Sequence, residues 1–243
     1  LELSNERIGI DRYTGLSSEA FGGVPFTGNG ALANQSIYLP AYTFAPFNTL
    51  PSLIGNPTRY NVDSKALYVM DTANWQDRII LNGGVRYDGY DLRSSNNTAS
   101  ATVNSDFINY NVGAVFKPLP IGSVYAAYAT STNPFGSELD GTATDYGGVP
   151  PNAAVILGPE RNKAAEIGTK WELFDRHLLV TGALFHTEKD NARETVSGVL
   201  TSGAAYQVEG IDLEVSGNIT DRWSVFGGLV LMRSKVLQSG NPA

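Results

Sequence analysis

Along most of the chain apolar and polar residues alternate, the period of a half-buried β-strand and not of a helix. From Ala164 to Leu173 the odd positions are Ala165, Ile167, Thr169, Trp171 and Leu173, and the even ones are Ala164, Glu166, Gly168, Lys170 and Glu172. Phe174-Asp175-Arg176 then turns the chain into a second run from about His177 to Arg193, which predicts a hairpin. The alternation returns with Ile211, Leu213 and Val215 set against Gly210, Asp212, Glu214 and Ser216. After Ile219-Thr220-Asp221-Arg222 it continues through Trp223, Val225, Gly227, Leu229 and Leu231. Earlier turns fall at Asn74-Trp75-Gln76-Asp77 and at Lys117-Pro118-Leu119-Pro120-Ile121. The pattern predicts an all-β antiparallel meander of about nine strands, near 1–13, 59–74, 78–93, 105–117, 121–132, 160–174, 177–194, 203–218 and 222–236.

The connections between these strands sort by alternate position. Four are short turns, and the others, roughly 14–58, 94–104, 133–159 and 195–202, are longer. Short turns on one rim and long loops on the other are the layout of an outer-membrane barrel, whereas a compact soluble domain rarely carries such loops. Trp75, Trp171 and Trp223 each lie close to a predicted short turn, where an aromatic girdle would stand. From Trp75 the next strand runs through Ile79, Leu81, Gly83 and Val85 to Tyr87. Ten residues at about 3.3 Å each, tilted about 45°, rise roughly 23 Å, close to the height of a transmembrane apolar band. A soluble sandwich or propeller also alternates, but it leaves the one-sided loops and rim tryptophans as coincidences.

Composition agrees. The charged share is 17%, low against a typical quarter, while Gly 26 and Tyr 12 suit strands, turns and amphipathic rings. No stretch approaches the roughly 20 apolar residues of a membrane helix, so a membrane-spanning form must be a barrel. A net charge of −7 with scattered Lys and Arg argues against a nucleic-acid partner. The absence of Cys removes disulfides, thiolate metal sites and a Cys nucleophile. Leu1-Glu2-Leu3-Ser4-Asn5-Glu6-Arg7 shows no secretion signal, which was removed or else the chain starts late.

Several segments resemble the barrel of TonB-dependent siderophore receptors, in that family's order. They are Val69-Met70-Asp71-Thr72 with Leu81-Asn82-Gly83-Gly84-Val85-Arg86-Tyr87-Asp88, and Gly158-Pro159-Glu160-Arg161-Asn162 with Glu166-Ile167-Gly168-Thr169-Lys170-Trp171. Ala183 to Arg193 follows and leads to Val208-Glu209-Gly210-Ile211-Asp212-Leu213-Glu214. Ala183 to Arg193 is most similar to catecholate-type receptors. The resemblance implies a barrel of about 22 strands with an N-terminal plug, so that residues 1–243 are an internal barrel fragment from which the plug and C-terminal strands are absent. It further implies a bacterial outer-membrane receptor that binds ferric siderophore at its extracellular mouth and imports it with energy from the TonB complex, reached through the missing plug. The implied partners are thus ferric siderophore, outer-membrane lipid and TonB, with no cofactor. A passive porin-like channel, or a receptor for hydroxamate siderophore or cobalamin, is the alternative.

Catecholate complexes carry aromatic rings and negative charge, which aromatic faces and Arg or Lys would receive. The expected site draws Tyr38, Tyr42 and Phe44 from the first long loop, ending at Arg59 and Tyr60, and Phe135, Tyr146 and Arg161 from the loop at 133–159. Arg59 and Arg161 are its cationic members. Arg86, Asp88, Glu166, Lys170, Asp212 and Glu214 are expected on the lumen side, since charge facing lipid is costly. Other motifs fall away. Gly28-Asn29-Gly30-Ala31-Leu32-Ala33 lacks the strand and helix of a dinucleotide site, His177 and His186 lack metal spacing, and no Gly-x-Ser-x-Gly elbow supports an enzyme.

Overall fold

The computed structural model describes residues 1–10, 57–137, 156–197, 199–220 and 222–240. Its strands are β1 (Glu2–Ile10), β2 (Thr58–Trp75), β3 (Ile79–Ser95), β4 (Ser100–Leu119), β5 (Gly122–Asn133), β6 (Glu160–Leu173), β7 (Leu178–Val196), β8 (Val199–Thr220) and β9 (Trp223–Gln238). They form one nine-stranded antiparallel sheet in chain order. All nine expected strands are present.

The short turns are tight because polar side chains and left-handed residues close them. At the β2–β3 turn Gln76 and Asp77 have φ of 53° and 54°, and the Asp77 amide donates to Asn74 Oδ1 at 3.0 Å. Phe174, Asp175 and Arg176 all take positive φ between β6 and β7. The opposite rim differs from expectation. The segments 94–104 and 195–202, read as long loops, are mostly strand, because β3–β4 and β7–β8 continue upward as hairpins. Asn96 closes the first of these by accepting the Thr98 and Ala99 amides on Oδ1 at 2.9 and 2.8 Å. A Ser/Thr/Asn-rich composition suits an aqueous hairpin as well as a loop, so composition alone could not separate them.

Register assigns the faces. Across β2, β3 and β4 the row Leu67–Tyr87–Ile108 lies on one side, and so does Val69–Val85–Tyr110. Continuing around the sheet, Val112, Tyr128, Ala165, Ile167, Leu184, Ile211, Leu213, Leu229 and Leu231 share that side. Trp75, Ile79, Val85, Val112, Ile167, Leu213 and Leu231 are all exposed, so nothing in the sheet itself covers this band. The other face carries Arg86, Asp88, Glu166, Lys170, Asp212 and Glu214, as expected. Hydrocarbon tolerates the first face and not the second, so the apolar band is the outer wall and the charged face is the inner one.

Candidate ligand-binding wall

Above the band the inner face changes character. Tyr60, Val62, Leu92, Ala101, Val103 and Phe135 form a buried cluster, with Ile8, Ile10, Tyr90, Leu157 and Leu200 packed against it. Phe135 reaches this cluster because Pro134–Ser137 turns back over the wall. Tyr90 Oη donates to the Gly136 carbonyl at 3.0 Å and holds that turn in place.

Glu160, at the start of β6, fixes the other end of the same connection. Its Oε2 accepts from Lys189 Nζ, Arg193 Nη2 and Asn133 Nδ2, each at 3.1 Å, while Oε1 accepts the Arg193 amide at 2.9 Å. Burial pushes the Glu160 carboxyl up, but the bonds from the Arg193 side chain and backbone, Lys189 and Asn133 outweigh it and hold the group at about 2. Asn191, in the left-handed region at φ 54°, donates to the Pro159 carbonyl at 2.9 Å. Arg193 lies 5.5 Å over the Phe135 ring, and its buried Nη1 has no hydrogen-bond partner among the described residues. The network therefore ties β5, β6, β7 and the aromatic cluster into one unit.

Below this clamp the inner wall holds two adjoining grooves that share Ala129, Thr130 and Ser131. One, about 500 Å³, is lined by Ser131, Asn162, Thr187, Lys189 and Tyr206. The other, about 570 Å³, is lined by Tyr68, Arg86, Phe107 and Asn109. It opens where β4 pairs with β5 only as far up as Asn111–Ala129 while β4 itself runs on to Ser100. Arg86 stands 5.6 Å from the Tyr68 ring centroid and is held by Asp88 at 2.7 Å and Glu2 at 3.0 Å. Each groove thus pairs a cation with an aromatic ring. A third hollow, about 640 Å³, lies at the opposite rim among the short turns and is remote from this chemistry.

The candidate residues divide. Tyr38, Tyr42, Phe44 and Tyr146 lie outside the described residues. Tyr60 and Phe135 are brought together, yet both are buried in the cluster, so they shape the mouth more than they offer surface to a ligand. Arg59 and Arg161 are on the wrong side for a mouth-lining role. Arg59 follows the parity of Lys65 and Leu67, and Arg161 that of Lys163 and Ile167, so both stand on the outer face. Near the Phe135 turn the inward cations are Lys189 and Arg193, neither of them among the expected site residues. Their signal was available, because both lie in Ala183 to Arg193, and Glu160 lies in the segment resembling the same family.

A family profile described as "TonB dependent receptor-like, beta-barrel" matches residues 3–242. The chain is 37% identical over 196 residues to the "Probable TonB-dependent receptor BfrD" of Bordetella pertussis, covering 76% of this chain and 26% of that protein. It is 30% identical over 199 residues to the catecholate siderophore receptor Fiu of Escherichia coli K12, covering 72% of this chain and 26% of that protein. The crystal structure of the ferric-catecholate import receptor Fiu in its closed form superposes with a TM-score of 0.73 at 25% identity, over 98% of this chain and 35% of that one. The chain therefore spans about a quarter of the length of these curated relatives. With a profile matching almost from end to end over a sheet of this polarity, the chain belongs to the TonB-dependent receptors, transporters of the bacterial outer membrane and not enzymes, and supplies part of their β-barrel.

Proposed function

We propose that this chain is part of the wall of a receptor that binds a ferric siderophore of the catecholate type at its extracellular mouth and imports it with TonB-coupled energy. The observation that carries the reading is the inner groove in which Lys189 and Tyr206 stand beside Ser131, Asn162 and Thr187, directly under the clamped Phe135 turn. A catecholate complex is anionic and presents flat rings, so an ammonium and a phenol on one wall match both properties. Fiu, which this chain resembles in sequence and fold, is a ferric-catecholate import receptor, and that supports the same class. Tyr38, Tyr42, Phe44 and Tyr146, outside the described residues, belong to the same proposal as ligand contacts.

The test is a titration of the full-length receptor with a ferric tris-catecholate. A charged or cation–π contact removed from such a groove is worth about 1–2 kcal/mol, or roughly tenfold in affinity. Lys189→Ala and Tyr206→Ala should each weaken binding by about that factor. Unchanged affinity in both variants would remove the groove from the site, and equal affinity for a ferric hydroxamate would remove the catecholate class. Iron uptake that persists in cells lacking TonB would remove the energised step.

A further inference from the structure

The arginines that do not face the mouth form a group of their own. Arg7, Asn61 and Arg93 make one row across β1, β2 and β3, and Gly9, Arg59 and Ser95 make the outer-face row above it. With strands about 4.8 Å apart and about 3.3 Å per residue, the Arg59 Cα lies roughly 8 Å from those of Arg7 and Arg93. Three guanidinium groups can therefore converge on one point. Together these residues line a groove of about 460 Å³. A Cβ placed at Gly9 would meet nothing within 4 Å among the described residues, so they leave the floor open.

Two contrasts point to an anion. The inward Arg86 and Arg193 are each bound by carboxylates, whereas Arg7, Arg59 and Arg93 make no ion pair among the described residues. Beneath them the row Asn5–Asp63–Asp91 is acidic, and Asp63 is occupied by Asn5 Nδ2 at 2.6 Å. Negative charge is thus attracted to the arginine rows and repelled from the row below. The position selects the anion further. Asn61 stands six residues above Leu67, the top of the apolar band on β2, which at a tilt of about 45° is roughly 14 Å. An ordinary phospholipid headgroup layer is only about 5–7 Å deep, so its phosphate falls short. We propose that Arg7, Arg59 and Arg93 bind the phosphate groups of a tall-headed, phosphorylated glycolipid in the surrounding outer leaflet. Arginine forks suit phosphate oxygens bidentately, and the site faces lipid, away from the transport path.

The full-length receptor, in detergent, is titrated with purified lipopolysaccharide carrying its phosphates, with the same glycolipid after dephosphorylation, and with inorganic phosphate. The triple variant Arg7→Gln, Arg59→Gln, Arg93→Gln should bind the phosphorylated glycolipid at least tenfold more weakly than the unaltered receptor. The dephosphorylated glycolipid should bind both proteins with that same weak affinity, and inorganic phosphate at matched phosphate concentration should not compete. Heat-modifiable migration on gels reports that each protein is folded. If the triple variant does not fold, the single variants should each weaken binding about threefold. Equal binding by variant and unaltered receptor, equal binding of the dephosphorylated glycolipid, or competition by inorganic phosphate would each overturn the proposal.

Discussion

The lower and upper halves of β2 and β3 follow one register and opposite polarity. Low on the sheet the outer face carries Leu67, Val69, Ile79, Leu81 and Val85, and the inner face carries Asn82, Arg86 and Asp88. Higher up, the outer face carries Arg59, Asn61, Asp63, Asp91 and Arg93, and the inner face carries Tyr60, Val62 and Leu92. No slip occurs between them, since every pair from Arg59–Ser95 to Trp75–Ile79 keeps the same offset. What changes is the surroundings. Below, hydrocarbon lies outside; above, polar surroundings lie outside, and the Phe135 turn covers the inside. The polarity of a face is thus set at each height by what lies against it, and a strand inverts its pattern where it leaves the bilayer.

The largest effect should come from testing the upper half as a protein core. Leu92 is 0% exposed, and Leu92→Asp would place a carboxylate there without a partner. A loss above about 4 kcal/mol is expected, read from the urea midpoint of the full-length receptor folded in vesicles. The lower half sets the next level. Val112 faces outward within the band, and Val112→Arg should cost about 2–4 kcal/mol. A milder effect at Leu92 than at Val112 would mean that the upper inner wall is wet and that no inversion exists.

This inversion also explains what could be read from the residues. All nine strands, their order and the outer band were legible because alternation over eight or more residues leaves little choice of face. Arg59 and Arg161 are expected in the mouth because an anionic ligand calls for cations where the two long loops meet the barrel, but loop position does not fix which face a side chain takes, and the register puts both outside. The Glu160 clamp was hidden for a different reason. Asn133, Glu160 and the β7 pair Lys189 and Arg193 are far apart in the chain, and only the pairing of β5 with β6 and of β6 with β7 brings them together.

The clamp gives a pH test of the upper half that the lower half should not share. The folded-state value of Glu160, about 2, is below its ordinary 4.5, so its stabilising contribution is complete above the ordinary value and is lost as pH falls through the folded one. Hydrogen exchange at the Arg193 amide, which donates to Glu160, should therefore quicken, after correction for intrinsic rates, between about pH 4.5 and 2. Glu160→Gln should flatten that dependence. A wild-type profile already flat over this window would show that the carboxylate does not hold the turn.

The smallest effect concerns the lower rim, where packing on the lipid side rests on a glycine. Gly122 of β5 pairs with Trp171 of β6, and a Cβ built at Gly122 would run into the indole ring. The ring covers backbone that a glycine leaves bare, which keeps the tryptophan flat against the wall at girdle height. Gly122→Ala should lift the ring and cost about 1 kcal/mol, and the loss should largely disappear in a Trp171→Ala background, giving a coupling of similar size. Gly227→Ala is the control, because its Cβ would meet only Val215 Cγ1 at 4.0 Å, and it should stay within about 0.5 kcal/mol of the unaltered protein. Equal costs at Gly122 and Gly227 would mean that the rim tryptophan is held by the bilayer alone and not by the strand beside it.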